Sequence, residues 1–200
     1  MKGYTTQTKI ESYTLLSLSE FSTTQIVLWI EAIEKYIDKY TGRSFIADAS
    51  PSERLYEVDF TRTDFPTRQR CDLIVDDFVG TISLSIDSEA VDDAAYKIYP
   101  ANEETKNRIH LTADEGVVFT FGEQNISVTA KWGSFASLPA DIEFAATVLA
   151  SGIIINAKKE PGTIRQESLG GYSVSFDTQS NWKDFERAKE ILDSYTKMSA

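Results

Sequence analysis

The sequence predicts an α+β fold: a small helical bundle of three long helices plus a possible short N-terminal helix, with an inserted antiparallel β subdomain. Three observations carry this. A capped amphipathic helix pattern occupies residues 22–42. Side-chain periodicity then changes from 3.6 to 2 between Glu53 and Trp132. Helical patterning returns at Pro139. The bundle is therefore assigned to residues 1–50 and 136–200, and the β subdomain to residues 51–135.

The first twenty residues mix polar positions with Ile10, Tyr13, Leu15, Leu16 and Leu18, the pattern of an arm or a short helix. Ser22-Thr23-Thr24-Gln25 fits a capping box, in which the serine oxygen accepts a backbone N–H and the glutamine reaches back. Ile26, Trp29, Ile30, Ile33, Ile37 and Tyr40 then repeat at helical spacing, and Gly42 supplies a left-handed stop. Strand-like runs follow at residues 54–58, 72–75, 79–87, 96–99, 108–111, 117–121 and 126–132, the last two flanking a hairpin loop at Gly122-Glu123-Gln124-Asn125. Pro139 suits a first helical turn, and Asp141 and Glu143 complement the positive end of the helix dipole. The helix from there to about Ala157 is apolar almost all round, which predicts a central place in the bundle or at a subunit contact. Glu160-Pro161-Gly162 breaks it; Tyr172-Ser173-Val174-Ser175-Phe176 alternates like a strand. A last amphipathic helix runs from Trp182 to Tyr195.

Composition excludes several classes. One cysteine, Cys71, allows no internal disulfide framework and no thiol cluster for zinc. One histidine, His110, removes most imidazole catalysis and most transition-metal sites. The net charge of −11 opposes phosphate binding, and the excess sits in residues 51–137, which carry 8 basic and 16 acidic side chains. The acid is read as a solvated surface, or as a wall that does not hold DNA. No phosphate loop, dinucleotide fingerprint, nucleophile elbow or zinc-helix motif is present. No uninterrupted apolar run of membrane-spanning length and no signal-peptide pattern is read, so a soluble protein without a membrane partner is expected.

The remaining candidates are weak. Asp87, Glu89, Asp92 and Asp93 lack calcium-loop spacing. Asp76-Asp77 and Glu103-Glu104 are the carboxylate pairs a glycosidase would need, with exposed turns as the alternative. Trp29, Trp132 and Trp182 suit core packing or interface anchoring. No enzyme activity, cofactor or metal is expected.

Four segments occur in a telling order: Thr41-Gly42-Arg43-Ser44-Phe45, Leu138-Pro139-Ala140-Asp141-Ile142, Glu167-Ser168-Leu169-Gly170-Gly171-Tyr172-Ser173-Val174-Ser175-Phe176 and Ile191-Leu192-Asp193-Ser194-Tyr195. Together they resemble the head–tail connector (adaptor, head-completion) proteins of tailed bacteriophages, over roughly residues 10–48 and 136–198. Compact members of that family join the first long helix to the second by a short connection. Here about 85 residues intervene. The resemblance implies a virion neck protein, assembled in the host cytoplasm, that forms a ring of about twelve copies. The ring would dock beneath the portal protein and extend the DNA channel toward a stopper or tail-completion protein, without binding DNA specifically. It further implies that Arg165, Glu167, Tyr172, Val174 and Phe176 contact the portal or a neighbouring subunit. The alternative is another tail or virion module whose β subdomain binds a neighbouring protein or a glycan.

Overall fold

The computed structural model describes residues 2–58, 71–112, 116–120, 122–159 and 182–197. The chain divides into two compact units, Met1–Arg43 with Leu138–Ala200, and Ser44–Ser137. The described residues form four helices in the first and a six-stranded antiparallel sheet in the second, an α+β fold.

The helices are α1 (Gln7–Thr14), α2 (Thr23–Thr41), α3 (Ala140–Lys159) and α4 (Trp182–Tyr195). Both halves of the Ser22–Gln25 capping box are formed, and Gly42 ends α2 at φ +67°. α1, α2 and α4 all pack against α3, whose residues Ala145 to Ser151 are buried on every side. That central place accounts for its composition. α3 is long and apolar enough to cross a membrane, yet half of its most apolar window is buried within the protein. The amphipathic α2 and α4 need only one apolar stripe each, because they are covered on one side.

The chain ahead of α1 is tied down by a buried acid. Glu34, on α2 and 3 % exposed, accepts the backbone N–H groups of Lys2 (2.6 Å), Gly3 (2.6 Å) and Tyr4 (3.0 Å). Tyr4 is fully buried and its hydroxyl donates to Asp38 (2.5 Å), which also pairs with the Lys2 ammonium. Thr5 meets Thr147 of α3 at 2.8 Å. Further along, Lys9 reaches Glu143 (2.5 Å) and the Tyr13 hydroxyl donates to Asp184 of α4 (2.7 Å). Burial, reinforced by that carboxylate, pushes Tyr13 up to about 12.

The sheet has strand order β1-β6-β2-β5-β4, with β3 paired to the far end of β2. The strands are β1 (Ser52–Tyr56), β2 (Asp72–Ile86), β3 (Glu89–Ala90), β4 (Tyr96–Tyr99), β5 (Lys106–Leu111) and β6 (Ile126–Trp132). The two runs expected at 72–75 and 79–87 are a single 15-residue strand. Bulges absorb the break. Four residues of β2 advance against two of β5 between Ile74↔Arg108 and Phe78↔Lys106. The same happens against β6 between Val79↔Lys131 and Ser83↔Thr129, beside Gly80 at φ +77°. Bulges of this kind bend a strand and sharpen its twist.

One face carries the core: Leu73, Val75, Phe78, Ile82, Leu84, Ile86, Tyr96, Ile109, Leu111, Ile126, Val128, Ala130 and Trp132, closed by Phe119. The Tyr96 hydroxyl, on β4, lies 3.0 Å from the Ile82 carbonyl on β2 and 2.7 Å from Asp93. The strand expected at 117–121 is not formed at the described residues 117–120. Phe119 plugs the core, and Thr120 binds Asp87 (2.5 Å) in the tight β2–β3 turn. Asn125 donates to the same carboxylate (2.9 Å), and these bonds hold Asp87 below the usual carboxylate range.

The chain enters and leaves this unit side by side. Ser134 N–H donates to Ser44 O (2.7 Å), Ala47 N–H to Phe135 O (2.9 Å) and Asp48 N–H to Trp132 O (2.9 Å), around an isolated parallel bridge at Ile46↔Phe135. Gly133 sits inside this clasp at φ +140°. A Cβ there would lie 2.5 Å from Ala47 Cα and 2.6 Å from Ile46 O, so only glycine fits.

Candidate assembly surfaces

Arg165, Glu167, Tyr172, Val174 and Phe176 lie outside the described residues. The other sequence candidates are placed. His110, on β5, is partly exposed and its Nδ1 lies 3.0 Å from Asp72 on β2. Cys71 is half-buried just before β2. Three of the four paired carboxylates are tied into the fold: Asp76 binds Arg54, Asp77 accepts from the Ser134 hydroxyl (2.8 Å), and Glu104 accepts from Ala136 N–H (2.8 Å). Asp92 caps the short 3-10 turn at Asp93–Ala95. Among the described residues no group of three or more His, Cys, Asp or Glu could hold a metal ion.

The tryptophans divide. Trp132 is a core residue, edge-on to Phe78, and its indole donates to Ser52 O (2.7 Å). Trp29 is half-buried and edge-on to Phe21 at 5.0 Å. Trp182 begins α4. Among the described residues of the helical unit, the exposed large apolar side chains are Leu15 (89 %) past the end of α1 and Leu28 on α2. Leu15 takes a left-handed φ of +56°, a conformation that costs a leucine on the order of 1 kcal/mol.

The sheet presents a denser group, which the sequence reading did not single out. Ile74 on β2 is 72 % exposed and stands opposite Arg108 on β5, which stands opposite Tyr99 on β4. The Arg108 guanidinium lies over the Tyr99 ring at 4.8 Å, and its Nε is 3.9 Å from Asp72. Asp76, within the bulge of β2 beyond Ile74, takes a 2.6 Å bond from Arg54 and lies 3.2 Å from the Tyr56 hydroxyl. Arg54 in turn stacks on Trp132 at 4.5 Å. Two arginines are thus each held by a ring and a carboxylate. Burial is the main cause that pushes Tyr56 up to about 12. The signal available in the sequence was alternation: Asp72 and Ile74 share one parity, and so do Arg108 and His110.

No protein-family model matches this chain. No curated protein matches it. Among solved structures, it is similar to a chain in the neck of an empty GTA particle, with a TM-score of 0.60 and 11 % identity, over 100 % of this chain and 93 % of that one. It is also similar to a chain in the virion of a native gene transfer agent (GTA) particle, with a TM-score of 0.58 and 11 % identity, over 100 % and 92 %. At that identity the likeness is one of fold, and it spans both units.

Proposed function

We propose that this chain is a structural virion protein of the neck, forming a ring between the portal and the tail or stopper that extends the DNA channel and completes the head. The observation that carries the reading is the likeness of the whole chain, helical bundle and β unit together, to chains from gene transfer agent particles, one of them a neck. The physical character of the molecule supports it. A ring subunit needs two different contact surfaces and no reactive groups. The β unit, Ser44–Ser137, carries 17 acidic against 8 basic side chains, a balance that lets DNA pass without binding. The partners in this reading are about twelve copies of the chain, the portal, and a stopper or tail-completion protein. Arg165, Glu167, Tyr172, Val174 and Phe176 are the proposed contacts to the portal or a neighbouring subunit.

A second reading is another tail or virion module whose β unit binds a neighbouring protein or glycan; the exposed arginine–tyrosine group on the sheet favours it. One experiment separates the two. Tagged protein is captured from cells producing the particle, and its companions are quantified by mass spectrometry. Portal and tail-completion proteins at near-ring stoichiometry are expected. Tail proteins without portal would support the second reading, and recovery of metabolic proteins alone would overturn both.

A further inference from the structure

We infer that the face of the β unit formed by Ile74, Arg108, Tyr99, Lys97 and Asp72 is a docking surface for the acidic loop end of a second copy of this chain. The inference deepens the proposed ring and rests on it for closure.

Residue type is the first argument. Arginine and tyrosine dominate the energetics of protein interfaces, and here they surround an isoleucine that is 72 % exposed. The Arg108 guanidinium is already stacked on the Tyr99 ring and held by Asp72, so little side-chain freedom is lost when a partner arrives.

Charge names the occupant. Acid outnumbers base 17 to 8 in this unit, yet this face carries Lys97 and Arg108 against Asp72, with His110 beside them. The excess acid lies elsewhere. The described residues 86–95 and 122–126 hold Asp87, Glu89, Asp92, Asp93 and Glu123, all exposed, and no lysine or arginine. Within the β unit itself, then, a locally basic apolar face and an acidic loop end are complementary.

Geometry sets the mode. Ile74 lies near the start of β2 and Asp87 follows its last residue. At about 3.3 Å per residue the two are on the order of 40 Å apart along the strand, less its curvature. The contact therefore runs head to tail between copies, the heterologous type that closes into rings. Duplex DNA is the poorer fit, because a carboxylate, Asp72, stands beside the two cations.

The test is sedimentation velocity of the full chain from low to high micromolar concentration, at low salt and at about 0.5 M salt, where screening is nearly complete beyond a few ångströms. Arg108→Glu and the pair Glu89→Lys with Glu123→Lys are compared with the parent. The parent is expected to self-associate at low salt. Each variant should weaken association by about tenfold or more, and an equimolar mixture of the two variants should restore it, because opposite charges meet again. Restoration also shows that both variants are folded. A parent that stays monomeric at high concentration and low salt overturns the inference. So does association that Arg108→Glu leaves unchanged, or a mixture that fails to recover. A duplex whose binding is lost in Arg108→Glu while self-association persists would reassign the face to nucleic acid. Failure here alongside recovery of the chain with portal leaves the neck reading standing; self-association through this face in a chain absent from particles removes the neck reading alone.

Discussion

Replacing Glu34 tests whether one buried carboxylate holds the N-terminal arm. Its two oxygens take three backbone N–H groups: Lys2 on Oε2, Gly3 and Tyr4 on Oε1. Hydrogen bonds to a charged acceptor contribute roughly 1.5–3 kcal/mol each, and neutral ones about 0.5–1.5. In Glu34→Gln the amide oxygen can keep Gly3 and Tyr4 at neutral strength, but the amide nitrogen then points a donor at the Lys2 N–H. One charge-assisted bond is lost and two are weakened, a gross cost of about 3–5 kcal/mol. The observed cost has a ceiling, because the arm can leave and hydrate its N–H groups. That ceiling is the net worth of docking: burial of Tyr4, at about 2 kcal/mol, plus the bonds, less the entropy of ordering a few residues. We expect a loss of about 2–4 kcal/mol in denaturant unfolding, and Glu34→Ala within about 1 kcal/mol of Glu34→Gln, since both reach the same undocked state. Hydrogen exchange supplies the local readout: the amides of Gly3 and Tyr4 should lose protection while those of α3 keep theirs. A Glu34→Gln protein with unchanged stability and protected Gly3 and Tyr4 amides would refute the argument.

Gly133→Ala should cost well over 2 kcal/mol, because its Cβ meets backbone atoms of Ile46 and Ala47 that cannot move aside. Gly80→Ala meets nothing within 4 Å and should cost only the left-handed strain, about 1 kcal/mol; equal losses by denaturant unfolding would show the clasp to be soft. Six of the nine tyrosines have raised pKa values, Tyr13, Tyr40 and Tyr56 to about 12. A raised folded value favours the neutral phenol, so this contribution is present below the ordinary value of 10.0 and fades as pH rises through about 12. Tyrosinate absorbance should therefore report fewer than half of the tyrosines ionised near pH 10.5 in the folded protein, and nearly all after alkaline unfolding; early ionisation of most would contradict the Tyr13–Asp184 and Tyr40–Asp193 bonds.

The helices were legible in the sequence because their signals are local. Ser22 with Gln25, Gly42, and the acidic first turn of α3 are each decided within four residues. The all-round apolarity of α3 also announced a central helix. The β unit was legible as a period and misread in its joints. Asp76, Asp77 and Gly80 look like a break in β2, and only ladder partners on both sides show that the strand continues through bulges. Val117 to Thr120 alternates like a strand, yet Phe119 is used as a plug, a choice set by tertiary packing that propensity does not encode. The Glu34 clamp was invisible for the same reason, its partners lying about thirty residues earlier in the chain. The exposed arginine–tyrosine face needed the register of three strands before its members became neighbours.

The clasp explains how a helical bundle accommodates so long an insertion. Ser44 and Ser134 are joined by a backbone hydrogen bond, and the Ile46↔Phe135 bridge keeps the two chains together. For the bundle, the folded Ser44–Ser137 unit then behaves as a short connection between α2 and α3 rather than as a long loose loop. Loop-closure entropy grows with the logarithm of length, so shortening the effective loop tenfold is worth about 2 kcal/mol to the bundle. The β unit meets that cost when it folds. It follows that Gly133→Ala, which strains only the β unit, should also raise hydrogen exchange in α2 and α3, by no more than that 2 kcal/mol allows, roughly thirtyfold. Unchanged exchange in both helices alongside a disrupted sheet would mean that the bundle does not depend on the clasp.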